Sequence, residues 1–450
     1  MIALCATFVS PTDPRPIAAL TQVCRHWRGA ITSSPRNWAL IGSGWKRFVP
    51  LCLERAGVVP LTVEIKVSGI READVKDDEI FKAILPHTSR IAHLSLTGCS
   101  SIETVANAVP TFFTCAMDSL ISLELQQNSR PVEVFPSGAP PAPSISWNLS
   151  KLVSLSLNQT PLYPALANIT SLVELNLAGY TTPFHFWKVI GFLKSNPNLQ
   201  SIALDIQFVE RPLWLWSTSL SLPHLRHLSF TCTNPTDARV LISSVHFSRG
   251  ISLEVVGSQV NPHRELYLFL PTPSTPIQNM LGPITTIKYQ NNPGAIQFYG
   301  HDSYLSFRCP YLPIGYSEFS LFTVTSVREF HLKTTSCNDL AWPLSQLPAL
   351  ETLVLIDVTA FQSFNFLTQE PVLCPSLKTI AFFDCHLNSS TSVDLEVAVA
   401  RRKNSTAAWL HRIVIVRKTG TLPDHTLIHR LRKSVPCVDA RIDEKLPDLS

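Results

Sequence analysis

The sequence predicts an α/β fold: a leucine-rich-repeat solenoid with a parallel sheet, preceded by a small helical module. Three observations support this prediction. A pattern of the form apolar-x-x-apolar-x-apolar occurs ten times, proline stands just before many of the copies, and an amphipathic helix with a different period precedes the first copy. Composition agrees, because 45% hydrophobic residues supply a core and 16% charged residues are too few for a disordered chain.

The copies begin 20 to 33 residues apart, except for one gap of 102 residues. Leucine-rich repeats have periods of about 20–29 residues, so most copies fit and a few carry insertions. We expect degenerate copies inside the gap, with starts at Ile251, Ile284 and Tyr304. The ten clear copies start at Ile91, Leu120, Leu152, Leu172, Leu199, Leu225, Val327, Leu350, Leu377 and Leu410.

Each copy ends in an apolar-x-apolar strand of period two, which places its apolar side chains on one face. A single repeat cannot bury that face, so neighbouring repeats stack and their strands form a parallel sheet. Polar residues such as Ser95, Glu124 and Asn176 hold the outward positions. Pro197 and Pro348 precede the apolar start of their copies, and proline resists helix continuation, so we expect proline to mark the start of each strand segment.

The repeats are expected to be irregular. Leucine-rich repeats usually carry Asn or Cys three residues after the last strand leucine, and Cys99 and Cys385 match this rule whereas Thr160 does not. Residues 129–147 are rich in Pro and Ser and predict an exposed loop, and residues 257–320 predict irregular strands.

The head of the chain has helical rather than strand periodicity. We predict a helix over residues 17–32, because five apolar residues recur there at the spacing of one helix face. Pro35 and Trp38 follow in a turn and a short second segment. The five residues of the apolar stripe are Leu20, Val23, Cys24, Trp27 and Ile31.

Charge is uneven along the sequence. The net charge of +4 is too small to indicate a nucleic-acid partner. Residues 1–60 hold seven basic residues against Asp13 and Glu54, a net charge of +5, so the rest of the chain nearly cancels. This basic head is the charge asymmetry that we identify.

Two motifs in the head resemble a known family. Residues 23–28 read Val-Cys-Arg-His-Trp-Arg and residues 35–38 read Pro-Arg-Asn-Trp, which together resemble the second half of an F-box. Residues 53–61, Leu-Glu-Arg-Ala-Gly-Val-Val-Pro-Leu, are similar to the junction in F-box proteins with leucine-rich repeats from mushroom-forming fungi. The family's opening Leu-Pro-x-Glu helix is missing or degenerate here.

Four segments follow from the repeats and the resemblance. Residues 1–48 are expected to form an N-terminally truncated F-box-like helical module, and residues 49–85 a junction or capping segment. Residues 86–420 are expected to form the irregular leucine-rich-repeat solenoid. Residues 421–450, which include a short basic amphipathic stretch, are expected to form a C-terminal tail.

The resemblance implies a protein-interaction adaptor, the substrate-recognition subunit of a Skp–cullin–F-box ubiquitin ligase. Its head would bind a Skp-type adaptor protein and through it a cullin, and its repeat surface would hold an unidentified protein substrate. The alternative is a leucine-rich-repeat scaffold that no longer binds the ligase adaptor, in which the same apolar residues form only the core of a helical cap. The adaptor-binding residues that the resemblance implies are Leu20, Val23, Cys24, Trp27, Ile31, Pro35 and Trp38.

We predict no enzyme. The sequence lacks the phosphate-binding glycine motifs and the G-x-S-x-G nucleophile motif. We therefore predict no catalytic residue, no cofactor and no metal. Two histidine pairs, His224 with His227 and His425 with His429, are expected to be solvated or half-buried. The second pair could share one helix face as metal ligands do, but neither pair has the H-E-x-x-H glutamate or a nearby set of cysteines. The group of Cys374, Cys385 and His386 matches no zinc-finger spacing, so we expect it to belong to the buried repeat core.

The cysteines indicate a reducing compartment. Eleven cysteines are scattered singly, with no C-x-x-C motif, as is usual for small core residues in reduced proteins. No segment has the features of a signal peptide or reaches the roughly 18 apolar residues that span a bilayer. We expect a cytoplasmic or nuclear protein, or one present in both, with neither membrane nor nucleic acid as a partner.

Overall fold

The computed structural model describes residues 22–67, 79–99, 105, 109–127, 149–160, 169–179, 186–206, 220–232, 234–257, 275–291, 294–309, 322–334, 336–337, 341–361, 364, 367, 373–404, 409–418 and 425–443. The chain is α/β with extensive, mostly parallel sheet structure. It divides into two compact units, the first comprising Met1–Pro212 with Leu222–His224 and the second comprising Leu213–Ser221 with Leu225–Ser450. The division falls inside residues 86–420, which the sequence predicts as one solenoid.

The first unit contains short strands separated by short helices. Its α-helices are α1 (Arg25–Ser33), α2 (Val49–Ala56), α3 (Glu79–Ile84), α4 (Pro110–Thr114) and α5 (Phe186–Lys194), with 3-10 helices at Pro35–Trp38, Ser43–Phe48 and Leu85–Arg90. Its strands are β1 (Leu40–Gly42), β2 (Leu61–Lys66), β3 (Ile91–Cys99), β4 (Ser122–Gln127), β5 (Ser154–Asn158), β6 (Glu174–Ala178) and β7 (Ser201–Asp205).

The strands of the first unit pair in parallel and in chain order, from β1 to β7. Their register aligns the repeated apolar positions in two continuous rows, and these residues are 0–2% exposed. The prediction that the repeated leucines share one buried face is therefore confirmed here. One row contains Leu94, Leu123, Leu155, Leu175 and Ile202, and the other contains Leu96, Leu125, Leu157, Leu177 and Leu204.

The second unit continues the pattern with longer insertions. Its α-helices are α6 (Pro235–Ser244), α7 (Thr275–Leu281), α8 (Ala341–Ser345), α9 (Ser389–Lys403) and α10 (His425–Ser434). Its strands are β8 (Leu220–Ser221), β9 (His227–Cys232), β10 (Val245–His246), β11 (Ser252–Gly257), β12 (Thr286–Asn291), β13 (Gly294–Tyr299), β14 (Tyr304–Cys309), β15 (Glu329–Lys333), β16 (Ser336–Cys337), β17 (Thr352–Ile356), β18 (Ala360–Phe361), β19 (Thr379–Phe383), β20 (Arg412–Arg417) and β21 (Cys437–Ile442).

The sheet of the second unit has the strand order β9-β11-β14-β13-β12-β15-β17-β19-β20-β21. Strand β13 is antiparallel to both of its neighbours, so the prediction of a purely parallel sheet is wrong at this strand. The reason is the short connection of β13 to β14, since a parallel crossover needs a dozen or more residues. The expected starts Ile251, Ile284 and Tyr304 do lead into β11, β12 and β14.

A recurring turn ends many of the strands. Two residues after the second inward-facing apolar position of the strand, the backbone adopts a positive φ, a conformation that glycine, aspartate and asparagine tolerate best. The five residues in this position are Gly98 (φ 78°), Gln159 (φ 54°), Gly179 (φ 72°), Asp357 (φ 58°) and Asp384 (φ 52°). The repeat is therefore built from a turn as well as from leucines.

At two of these turns, the side chain of the next residue donates a hydrogen bond to the preceding repeat. The Cys385 thiol donates to the Leu355 carbonyl at 3.2 Å, and the Thr160 hydroxyl donates to the Leu125 carbonyl at the same distance. Thr160 departs from the usual Asn or Cys in sequence, yet it makes the equivalent contact. A hydroxyl thus replaces the usual side chain at this position.

Replacing Thr160 with valine is expected to lower the free energy of unfolding by about 1–2 kcal/mol, because the shape is kept while the buried Leu125 carbonyl loses its donor. Chemical denaturation followed by circular dichroism measures the change. Thr160→Ser is the control, since it keeps the hydroxyl. A valine variant as stable as the unsubstituted protein would contradict this role.

The sheet extends beyond the boundaries that the sequence predicts for the repeats. Strand β1 of the head pairs with β2 of the junction, and β2 pairs with β3. At the other end, α10 and β21 lie within residues 421–450, and β21 pairs in parallel with β20. The expected tail therefore contributes a further helix and strand. The loop predicted over residues 129–147 lies outside the described residues.

Candidate functional site

The predicted head helix is interrupted at Cys24, with helical residues at 22–23 before it and α1 after it. Cys24 has an extended backbone (φ −159°, ψ 170°) and its sulfur accepts a hydrogen bond from the Trp27 N–H at 3.5 Å, so it caps α1. The prediction of a continuous helix over residues 17–32 is therefore wrong at Cys24. The side chain of Val23 does not share one helix face with Trp27 and Ile31. Helical periodicity cannot reveal a cap that interrupts it. Leu20 lies outside the described residues.

The structure divides the remaining head residues into two groups, which the sequence alone does not separate. Ile31 and Trp38 are each only 7% exposed and form part of the core. Val23 is 63% exposed, Trp27 is half-buried, and Cys24 and Pro35 are exposed. Among the described candidates, these four residues are therefore the ones that a partner can reach.

The two motifs that resemble the F-box family contact each other. The Arg55 guanidinium lies over the Trp38 ring, 4.5 Å from its centroid, which is the geometry of a cation–π interaction. The Asn37 side chain donates to the Ile31 carbonyl at 3.2 Å and ties the short 3-10 helix to α1. Arg55 was not among the predicted site residues, although its motif was recognised.

The head rests on the edge of the sheet. The Thr62 N–H donates to the Ala39 carbonyl at 2.9 Å and extends the β1–β2 pairing. The Arg90 side chain donates to the Val59 carbonyl at 3.0 Å and ties the junction to the start of β3. Two exposed apolar residues flank α2 and were not predicted: Phe48, 57% exposed, and Val58, 92% exposed.

The outward face of the first unit is polar, as predicted. The Ser95 hydroxyl donates to Glu124 at 2.8 Å, and the Asn176 side chain donates to the Ser156 hydroxyl at 3.2 Å. Burial raises the pKa of the Glu64 carboxyl above its usual range, and the charge of Glu124 raises it further. This row of small polar and acidic side chains contains no buried apolar residue in the strands described.

The outward face of the second unit changes character along the sheet. Near its antiparallel strand, the Gln297 amide donates to the Tyr304 hydroxyl at 3.2 Å and accepts from Tyr299 at 3.0 Å. Farther along, the outward positions are apolar and buried on β17, β19 and β20, so the prediction of polar outward residues is wrong there. The residues of this cluster are Val354, Ile356, Ala381, Val414 and Val416.

Glu329 is held by His331, also on the outward face of β15. The His331 Nε2 and the Glu329 Oε1 lie 2.8 Å apart. This hydrogen bond is the largest cause that lowers the pKa of Glu329 below its usual value of 4.5. The ionised carboxylate therefore stabilises the folded state above pH 4.5, and that contribution is lost as the pH falls through the lowered pKa.

Glu329→Gln is expected to make the free energy of unfolding depend less on pH below about 4.5, because the variant has no carboxylate to protonate at this position. Urea unfolding at several pH values from neutral to below the usual pKa of glutamate measures the slope. His331→Ala should flatten it as well, since it removes the main cause of the lowered pKa. An unchanged slope in both variants would contradict the assignment.

The groups weighed as metal ligands do not converge. Cys374 and Cys385 are buried, and their thiols donate to the Leu344 and Leu355 carbonyls at 3.1 and 3.2 Å. His425 and His429 are both exposed on α10. Across the described ranges, no group of three or more His, Cys, Asp or Glu residues is placed to hold a metal ion.

Comparison with protein-family models gives no match, and comparison with curated proteins gives none either. In the part of the chain that the structure describes, no helix combines the length and apolar character needed to cross a bilayer.

Proposed function

We propose that the chain is an irregular leucine-rich-repeat solenoid behind an F-box-like head, and that it is the substrate-recognition subunit of a Skp–cullin–F-box ubiquitin ligase. One observation carries the proposal: Val23 and Trp27 stay accessible beside a buried base of Ile31 and Trp38. A partly exposed aromatic side chain beside buried residues is typical of a residue that dominates an interface.

The head supplies the adaptor contact in this proposal. Trp27, Val23, Cys24 and Pro35 contact the Skp-type adaptor, and through it a cullin joins the assembly. Ile31 and Trp38 act as positioning residues, and the Arg55 contact fixes the Trp38 ring. The chain performs no chemistry itself, and it works in the cytoplasm, the nucleus or both.

The repeats supply the surface for a protein substrate. Support comes from the two buried leucine rows of the first unit, the recurring positive-φ turn and the bonds of Thr160 and Cys385 to the preceding repeat. Repeats that contact only their neighbours build extended arrays, and such arrays expose long faces suited to binding proteins.

Co-purification tests the adaptor contact. The full chain is co-expressed with a Skp-type adaptor, and the complex is isolated and its affinity measured. Trp27→Ala is expected to weaken binding by at least about tenfold, as for a central aromatic. Trp187→Ala is the matched control, because Trp187 is 52% exposed and lies on α5 outside the head. If no complex forms, even after an upstream Leu-Pro-x-Glu helix is added, the proposal fails.

A scaffold that no longer binds the adaptor is the second candidate. The burial of Ile31 and Trp38 favours it, because both residues would then serve only as the core of a cap on the sheet. In that case Trp27→Ala and Trp187→Ala behave alike in the co-purification, while Trp38→Ala still lowers the stability of the chain.

A further inference from the structure

The C-terminal part of the second unit carries strong positive charge. Residues 401–443 contain ten Lys and Arg residues against three Asp residues, a net charge of +7, whereas the whole chain has +4. This asymmetry exceeds that of the head and was not among the sequence predictions. It includes the basic amphipathic stretch of residues 427–433, which the proposed function does not use.

Three of these cations already contact groups of the same unit. Arg402 is 1% exposed and donates to the Cys374 carbonyl at 2.7 Å. The Arg417 side chain donates to the Cys385 carbonyl at 2.6 Å. Arg430 forms an ion pair with Glu396 of α9 at 3.2 Å. These three residues hold the unit together and leave the others facing outward.

The exposed face of α10 carries basic side chains, and with neutral histidines its charge comes from Arg432 and Lys433. His425, His429, Arg432 and Lys433 recur at the spacing of one helix face and are exposed. The opposite face, which contains Leu427, Ile428 and Leu431, is buried, and α10 contains no acidic residue. We refer to His425, His429, Arg432 and Lys433 as the cationic face.

Strand β21 lies beside this helix and is paired on one side. The Cys437 N–H donates to the His411 carbonyl and the Asp443 N–H to the Arg417 carbonyl, so odd-numbered residues face β20. Val438, Ala440 and Ile442 therefore present their backbone groups to the other side. Within the described residues, the pairings of β21 are with β20. An edge of this kind can accept an added strand.

The cationic face reaches this edge through Arg432. Its Nη2 atom lies 3.5 Å from the Val438 carbonyl oxygen, at the limit of a hydrogen bond. The guanidinium is thus placed where the side chains of an added strand would pass. Arg441 on β21 has a side chain that is 57% exposed, but its Nη2 already lies 4.0 Å from the Asp443 carboxylate. The selection of carboxylates therefore depends on Arg432 and Lys433.

We propose that the β21 edge and the cationic face together bind an extended acidic segment of a partner protein, which adds to the sheet as its next strand. Backbone hydrogen bonds supply affinity, and the cations select carboxylates. The inference rests on the proposed function only in treating this segment as part of the substrate.

A protein segment fits this surface better than a single-stranded nucleic acid. Nucleic-acid binding without sequence preference depends on aromatic side chains that stack on bases. The cationic face has no Phe, Tyr or Trp, and its only aromatic rings are the imidazoles of His425 and His429. The exposed Trp409, which precedes β20, has the Lys403 ammonium 5.5 Å from its ring centroid, so that ring already contacts a cation.

Fluorescence anisotropy on the full chain, without any adaptor, tests the inference directly. The probe is a short labelled peptide in which glutamate alternates with valine. We expect the peptide to bind at about 50 mM NaCl and to bind more weakly as the salt concentration is raised, because the ion pairs between its glutamates and the cationic face are exposed to solvent. A peptide with lysine in place of glutamate should not bind. Neither result depends on whether the head binds a Skp-type adaptor.

Two variants separate charge from strand addition. Arg432→Glu with Lys433→Glu is expected to weaken binding by about tenfold or more. The same charge change at Lys188 and Lys194 on α5 is the control and should leave binding unchanged. Ala440→Pro removes an N–H that faces away from β20, so it should weaken binding while circular dichroism shows a folded chain.

Four outcomes would overturn the inference. The first is that the acidic peptide does not bind at low salt, and the second is that a proline-interrupted acidic peptide binds equally well, which would mean that charge alone suffices. The third is that single-stranded DNA of similar length binds more tightly than the peptide. The fourth is that the chain is a dimer that Ala440→Pro dissociates, which would mean that the edge serves self-association. Should Ala440→Pro fail to fold, the proline-interrupted peptide still decides the question of strand addition.

Discussion

Replacing Arg402 with alanine is expected to lower the free energy of unfolding by about 3–5 kcal/mol. The side chain is 1% exposed and donates to the Leu373 and Cys374 carbonyls at 3.3 and 2.7 Å. Alanine leaves both carbonyls without these donors and opens a cavity. Burial lowers the pKa of the Arg402 guanidinium, so removing a costly buried cation offsets part of the loss. The carbonyls and the cavity outweigh that gain.

Chemical denaturation of the Arg402→Ala variant measures this loss. Arg401→Ala is the matched control, because Arg401 is exposed on the same turn of α9 and its replacement should change stability by less than about 0.5 kcal/mol. A second readout is the neighbouring thiol, since burial raises the pKa of Cys374 to about 12. Cys374 should resist labelling at neutral pH and become reactive in the variant. Equal stability of the two variants would contradict the role of Arg402.

Gly300→Ala is expected to have the second large effect. Gly300 begins the turn between β13 and β14, and its N–H donates to the Ser303 carbonyl at 2.9 Å. A Cβ at this position would overlap the backbone carbonyl group of Leu281, at the end of α7. Backbone cannot move aside as a flexible side chain can, so we expect a loss of about 3 kcal/mol or more.

Gly191→Ala provides the opposite sign with the same substitution. Gly191 lies within α5, and a Cβ there meets no atom within 4 Å beyond the helix itself. Alanine has the higher helix propensity, so this variant is expected to gain up to about 1 kcal/mol. Thermal unfolding of both variants compares them. If Gly300→Ala unfolds at the same temperature as the unsubstituted protein, the close approach of Leu281 does not constrain this turn.

The buried rows of leucines could be predicted because a period of two fixes which side chains share a face. Leu123 and Leu125, for example, can only be buried together, and their spacing is visible in any sequence. The start of each strand segment could be predicted as well, because proline resists helix continuation. The Leu199 N–H donates to the Asn196 carbonyl across Pro197, as the expected role of proline requires.

Strand direction, by contrast, leaves no trace in a period of two. The polar and apolar residues of β13 alternate in the same way whether the strand is parallel or antiparallel to its neighbours. The short connection to β14 determines the direction of the strand. The sequence also carries no sign that Thr160 takes the place of the usual Asn or Cys. A hydroxyl and a thiol can both donate a hydrogen bond to the equivalent carbonyl.

The apolar outward cluster did leave a signal. Residues 353–356 and 413–416 are uninterrupted apolar runs, which are typical of strands buried on both faces. The repeat pattern uses only every second strand position, so it makes no prediction for Val354 and Val414, which lie at the outward positions. In the head, Cys24 lies on the apolar stripe by spacing but serves as a cap, because its sulfur accepts the Trp27 N–H.

The strand order of the second unit has a consequence for synthesis. A growing chain that adds each strand beside the previous one can fold as it leaves the ribosome. Strand β12, however, takes a place three positions from β11, and β13 and β14 then run back to fill the space between. Assembly must therefore wait until β14 has emerged, so this stretch is where a nascent chain stays open longest and where a chaperone would find exposed apolar edges.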